Sequence, residues 1–159
     1  MITAKIYPWW SESFKWFGLS GTNPNNKDET SDGAGAIAAF LGAEIQYSTH
    51  SIDIWVNNLT DLEHSRAPDG DFGEGNAFSI FITGDYVFIG TEYAEESQVL
   101  MTRAQFLHAL EQYRVFLDGD YEDPENPPAI INVEFIAGGQ EAVDMYNNLP
   151  NSHGVPYAD

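Results

Sequence analysis

The sequence predicts an α+β fold: a mostly antiparallel sheet with one long helix and two or three short helices packed on one face of it. Three observations carry that prediction. Two runs of β-branched and aromatic residues, 77–82 and 86–89, flank Thr83-Gly84-Asp85, the pattern of a hairpin whose glycine supplies the turn conformation. A segment from Arg103 to Leu117 has helical periodicity with a start signal and a stop signal. A last apolar run, Ala129 to Ile136, is followed by Gly138-Gly139 and a short helical stretch, Gln140 to Asn147.

In chain order, Ile2 to Tyr7 alternates weakly and reads as an edge strand closed by Pro8. Trp9, Trp10, Phe14, Trp16 and Phe17 follow, and the spacing of Trp10, Phe14 and Phe17 fits a short amphipathic helix. Core packing is the favoured role for these rings and a binding platform the alternative, since exposed aromatics serve as interface anchors. Gly18 to Gly35 is rich in Asn, Asp, Gly, Ser and Thr and reads as a loop, mobile near 20–33. Gly33-Ala34-Gly35 lacks the spacing and lysine of a phosphate loop and reads as a helix entry. Ala36 to Leu41 then predicts a small-residue helix lying close on the sheet.

Glu44 to Tyr47 and Ile52 to Val56 predict a second hairpin, because Ile52, Ile54 and Val56 alternate with Asp53, Trp55 and Asn57. Leu59 to Asn76 reads as a long polar connection. After the 77–89 hairpin, Gln98 to Met101 makes a third apolar run. Thr102 caps the helix that follows, with Gln105 at the capping-box position. Phe106, Leu110, Tyr113 and Leu117 form the apolar stripe, with Leu107 at its edge. Gly119 is placed to end the helix. Residues 149–159 read as an irregular tail, and the 159 residues as a single domain.

The charge balance is lopsided. Twenty-five acidic residues against six basic ones give a formal charge of −19. Such a field repels nucleic acid and anionic membrane surfaces and accelerates encounter with a basic partner. With 14% aromatic residues, the chain is unlike a disordered acidic tail. There are no cysteines, so disulfides and thiolate sites are excluded. No apolar run reaches bilayer length, and Met1-Ile2-Thr3-Ala4-Lys5 lacks the features of a signal peptide. A cytoplasmic protein is the expectation.

The motifs of catalysis are missing. The four histidines, His50, His64, His108 and His153, share no metal-ligand spacing, and no Gly-x-Ser-x-Gly elbow occurs. The alternating carboxylates from Asp118 and from Asp69 fail the calcium-loop test: the sixth position holds Asp123 or Glu74, and the twelfth Ala129 or Ile80. No catalytic residue, metal or cofactor is therefore assigned. The acidic loops read better as a recognition face. Asp118, Asp120, Tyr121, Glu122 and Asp123 place carboxylates around an aromatic, and Glu92, Tyr93, Glu95 and Glu96 repeat the theme. Carboxylates flanking an aromatic suit a basic protein partner.

From Ser97 to Phe135 the chain resembles immunity proteins of bacterial polymorphic-toxin and contact-dependent growth inhibition systems. The residues are Thr102 after a strand, then Phe106, Leu110, Tyr113, Phe116-Leu117 and Gly119. A proline-containing loop and the strand Ile131-Asn132-Val133-Glu134-Phe135 complete the pattern, with Phe135 where tryptophan is expected. The resemblance covers about a quarter of the chain. It implies inhibition by binding: a non-enzyme that neutralises a cognate basic toxin domain, such as a nuclease. Three other readings remain open on the residues alone. They are a phage-type nucleic-acid mimic that inhibits a defence protein, a metal-dependent hydrolase using clustered carboxylates, and an acidic domain adapted to high salt.

Overall fold

A computed structural model describes residues 1–65, 70–74, 79–90 and 98–150, with side chains at all of these except 58, 61–65, 70–74 and 79. The fold is α+β, with antiparallel sheets and a long capped helix as expected. Its elements are β1 (Ile2–Ser11), β2 (Trp16–Ser20), β3 (Thr22–Asn23), β4 (Asn26–Thr30), α1 (Asp32–Phe40), a π-turn (Leu41–Ile45) and α2 (Thr49–Ser65). Then come β5 (Gly70–Glu74), β6 (Ser79–Thr83), β7 (Tyr86–Gly90), β8 (Val99–Thr102), α3 (Arg103–Asp118), β9 (Ile131–Phe135), β10 (Ala137–Gly138) and α4 (Gly139–Asn147). The strands form a five-stranded sheet of order β10-β8-β7-β6-β5, a three-stranded sheet of order β2-β1-β9, and the small pair β3-β4. Most of the expected tail, residues 151–159, lies outside the described residues.

The central unit forms as its local chemistry dictates. Gly84 takes φ +59 at the first turn position, and Thr83 pairs with Tyr86 across the two-residue loop. Strands β6 to β8 are apolar on both faces because both faces are covered. Ile80, Ile82, Val87, Ile89, Val99 and Met101 point into the main core; Phe81, Phe88 and Leu100 alternate to the other side, against Tyr146 and Val143 of α4. Helices therefore cover two faces of this sheet rather than one. The Thr102 hydroxyl accepts from the Gln105 N–H (3.1 Å) and Gln105 Oε1 from the Thr102 N–H (2.9 Å), a complete capping box. Phe106, Leu110 and Tyr113 are buried as the stripe requires, and Phe116 replaces Leu117 as its last fully buried member. Gly119 ends α3 with extended backbone rather than the left-handed cap.

The N-terminal half departs from the expectations. Strand β1 runs through Pro8 to Ser11 and is the middle strand of its sheet. Its two halves use opposite edges: Ile2 to Ile6 pair with β9, and Tyr7 to Ser11 with β2. Pro8, paired with Leu19, thus lies where only one edge of β1 is bonded, the setting in which a strand tolerates proline. No helix spans Trp10, Phe14 and Phe17. Trp9 and Trp10 end β1, Trp16 and Phe17 begin β2, and Glu12 to Lys15 turn between them. Lys15, at φ +60, donates its N–H to the Ser11 carbonyl (2.8 Å) and closes that turn.

Within 18–35, β2 continues to Ser20 and β3 and β4 form a polar hairpin, where a loop is expected. Side-chain bonds stand in for apolar contacts: Thr22 to Thr30 (2.8 Å), and Asn23 and Tyr7 to Glu29 (2.9 and 3.2 Å). Helix α1 is capped by Ser31 and contacts both larger sheets. It comes so close that a Cβ on Gly33 would stand 2.4 Å from the Phe135 ring.

The expected hairpin of 44–47 and 52–56 is a helix over its second half and a π-turn before it. Ile52, Trp55, Val56 and Leu59 recur at i, i+3, i+4 and i+7, and all four are buried or half-buried, while Ile54 is exposed. The strand alternation of Ile52, Ile54 and Val56 shares two of these residues. Tertiary contacts decide for the helix, with Trp55 against Phe40 (5.5 Å) and Phe106 (6.1 Å). The expected connection 59–76 is the end of α2 and strand β5 over its described parts.

Candidate functional site

The β1–β2 hairpin, the π-turn and the loop after α3 meet at one surface. Period-two alternation along β1 and β2 separates their aromatics. Phe17 goes inward to the core, with Trp10 against its edge at 5.0 Å; Trp9 and Trp16 stay on the other side. Phe14, at the turn, is 66% exposed and stacks on Trp16 (5.4 Å, 9° between planes). Together with Leu19, Gln46 and Tyr47 these residues line an open groove of about 740 Å³. Ser11 and Ser48 supply hydroxyls at its walls. Core packing thus holds for Phe17, while Trp9 and Phe14 are exposed.

The far wall is built by an unusual backbone. Leu41 to Ile45 form a π-turn, closed by the Gln46 N–H donating to the Leu41 carbonyl (2.8 Å). Gln46 then sits at φ 58, ψ −134, outside the regions open to ordinary residues, at a cost of about 1–3 kcal/mol. Tyr113, nearly fully buried in α3, holds it there by donating its hydroxyl to the Gln46 carbonyl. Burial raises the Tyr113 hydroxyl pKa, so it stays a protonated donor across the physiological range. Among the described residues, Lys15 and Gln46 are the non-glycine residues with positive φ; Gln46 lines the groove and Lys15 follows Phe14 at its rim.

The acidic loop stands beside it. The Phe17 N–H donates to the Tyr121 carbonyl (2.7 Å), fixing the loop to β2. The Tyr121 ring lies between Tyr47 (5.0 Å) and Phe116 (5.8 Å, 11°), so this residue packs inward as a strut and does not project as an anchor. An unbroken row of rings therefore runs Phe14, Trp16, Tyr47, Tyr121, Phe116, Tyr113, from solvent to core.

Two of the loop carboxylates also shape the loop. Asp120 accepts from the Glu122 N–H (2.9 Å). Asp123 accepts from the Asn126 side chain (2.7 Å) and the Glu125 N–H (3.0 Å). Both bonds favour its ionised form and hold its pKa below the usual aspartate value. Asp118, Glu122 and Glu125 are exposed. The other expected contact residues, Glu92, Tyr93, Glu95 and Glu96, lie outside the described residues. Among the described residues no group of three or more His, Asp or Glu side chains is arranged to hold a metal ion, and no helix is long and apolar enough to cross a membrane.

The arrangement is suited to binding. It offers exposed flat rings, a concave wall and ordered carboxylates at one side. The groove residues Tyr47 and Gln46 carried no signal in the sequence, because their positions follow from the π-turn. Phe14 and Trp16 stand out in the sequence as aromatic density, with Phe14 read as part of a helix and a binding platform as the alternative role of the cluster. Comparison with protein-family models, with curated proteins and with solved structures found no match.

Proposed function

We propose that this protein is a non-catalytic inhibitor of the immunity-protein kind, which acts in the cytoplasm by binding and neutralising a basic toxin domain, most simply a nuclease. The observation that carries the reading is the acidic loop 118–125, pre-organised by its own carboxylate bonds and fixed to β2 and Tyr47 on a chain of charge −19. Ordered carboxylates cost little entropy when they meet a cationic cleft, and the surplus charge speeds the encounter. They would occupy the place where a nuclease holds its phosphates.

The test is binding of the purified protein to the product of the adjacent upstream gene, expected to carry a basic domain, read by biolayer interferometry. A Kd below about 1 µM is expected, with an on-rate falling at least tenfold between about 50 and about 500 mM salt. Lysine at Asp118, Asp120 and Glu122 together should slow association by a further tenfold or more. Absence of a complex, or an on-rate indifferent to both salt and charge reversal, overturns the reading.

A further inference from the structure

We infer that the groove between the β1–β2 hairpin and the π-turn is an arginine-docking site, which receives an arginine-bearing extended segment of a basic protein partner. The inference rests on the reading that the partner is basic, and adds the place and the side chain. Three features select the groove. Phe14 at 66% and Trp9 at 38% exposure leave apolar rings in water that the hairpin could have turned inward, as it does Phe17. The Phe14 and Trp16 rings are stacked nearly parallel, and Tyr47 packs against Trp16 at 47° and walls the groove beside them. Backbone strain at Gln46 is maintained by a buried tyrosine, and such strain persists where the surroundings over-determine it, which is common at ligand clamps.

Charge then chooses the occupant. Lys15, in the hairpin turn, is engaged by Glu12 at 2.9 Å. Glu44 lies within the π-turn, and Asp120 and Glu122 flank Tyr121, whose ring touches Tyr47. A guanidinium is flat, weakly hydrated and permanently charged, so it can stack on an indole or phenyl face of the groove while the negative charge of the surrounding chain draws it in. A neutral sugar would use the same rings and hydroxyls and draw nothing from the surrounding negative field. Lysine would gain the field and lose the stacking.

The experiment uses the full chain and three probes: a Gly/Ser-spaced peptide with four arginines, the same peptide with citrulline at those positions, and chitohexaose. Tryptophan fluorescence reads binding, since three of the four tryptophans, Trp9, Trp10 and Trp16, lie on the hairpin. The arginine peptide is expected to bind at least fivefold more tightly than the citrulline peptide, and Phe14→Ala to weaken it about fivefold while leaving the unfolding midpoint unchanged. Trp9→Ala gives a second, independent loss. Arginine-peptide binding that survives both substitutions but falls with Asp120→Asn and Glu122→Gln overturns the groove assignment and leaves the acidic-loop reading standing. Tighter binding of chitohexaose or of the citrulline peptide also overturns it. Arginine-peptide binding lost in Phe14→Ala, in a protein that captures no basic toxin domain, supports the groove while the inhibitor reading fails.

Discussion

At Gly33 a hydrogen stands where any other residue would put a carbon 2.4 Å from the Phe135 ring. The partner is an aromatic only 2% exposed, with no room to swing away. Gly33→Ala should therefore destabilise by about 1–3 kcal/mol in urea unfolding, through overpacking. The same closeness bears on Phe135: a larger ring there would meet α1 at its first turn. Asp123 makes a different prediction. Asn126 and the Glu125 N–H bond its ionised form, so its folded pKa is depressed below the free-aspartate value. A depressed carboxylate contributes order that is present above the unfolded pKa and lost as pH falls through the folded one. The loop 118–126 should therefore keep its shape from neutral pH down to the free-aspartate value of about 3.9 and loosen only below it. A carbon-detected NMR titration of Asp123 checks this, and a midpoint at or above the free-aspartate value would contradict it.

Helix α2 shows the decision between periods at the scale of an element. As a strand, 52–56 would put Ile52 and Ile54 on one buried face. As a helix it buries Ile52 completely and leaves Ile54 46% exposed. Ile52→Ala should thus cost about 2–5 kcal/mol and Ile54→Ala under about 0.5 kcal/mol, by chemical denaturation. Equal losses would favour the strand. The elements legible from sequence are those whose signals are local: the Gly84 turn, the Thr102–Gln105 box, the Phe106/Leu110/Tyr113 stripe. Those that misled depend on distant partners. Pro8 marks the end of a strand only if both edges are paired. The β3–β4 pair shows no apolar period because polar side-chain bonds to Glu29 and Thr30 join it.

For the molecule as a whole, charge is the dominant quantity. Arg114 is tied to Asp53 (2.7 Å) and Glu111 (3.1 Å), Lys15 to Glu12 (2.9 Å), and Arg103 is buried, its Nε donating to the Gly84 carbonyl (2.8 Å). Lys5, Lys15 and Lys27 are exposed, but six basic residues against 25 acidic ones leave a formal charge of −19, and self-repulsion weakens the compact state. The melting temperature should rise by several degrees between about 20 and about 500 mM sodium chloride, read by differential scanning fluorimetry. A flat or falling dependence would show that the acids do not repel. From the sequence alone followed the α+β class, the central hairpin and capped helix, and the negative charge, because turn, cap, helical period and composition act over a few residues or none. Tertiary structure alone decided that 49–65 is a helix, that β1 bonds through both edges, and that Trp9, Phe14, Trp16 and Tyr47 open into a groove beside the acidic loop. These depend on contacts between residues far apart in the chain, whose energy exists only once the chain has closed on itself.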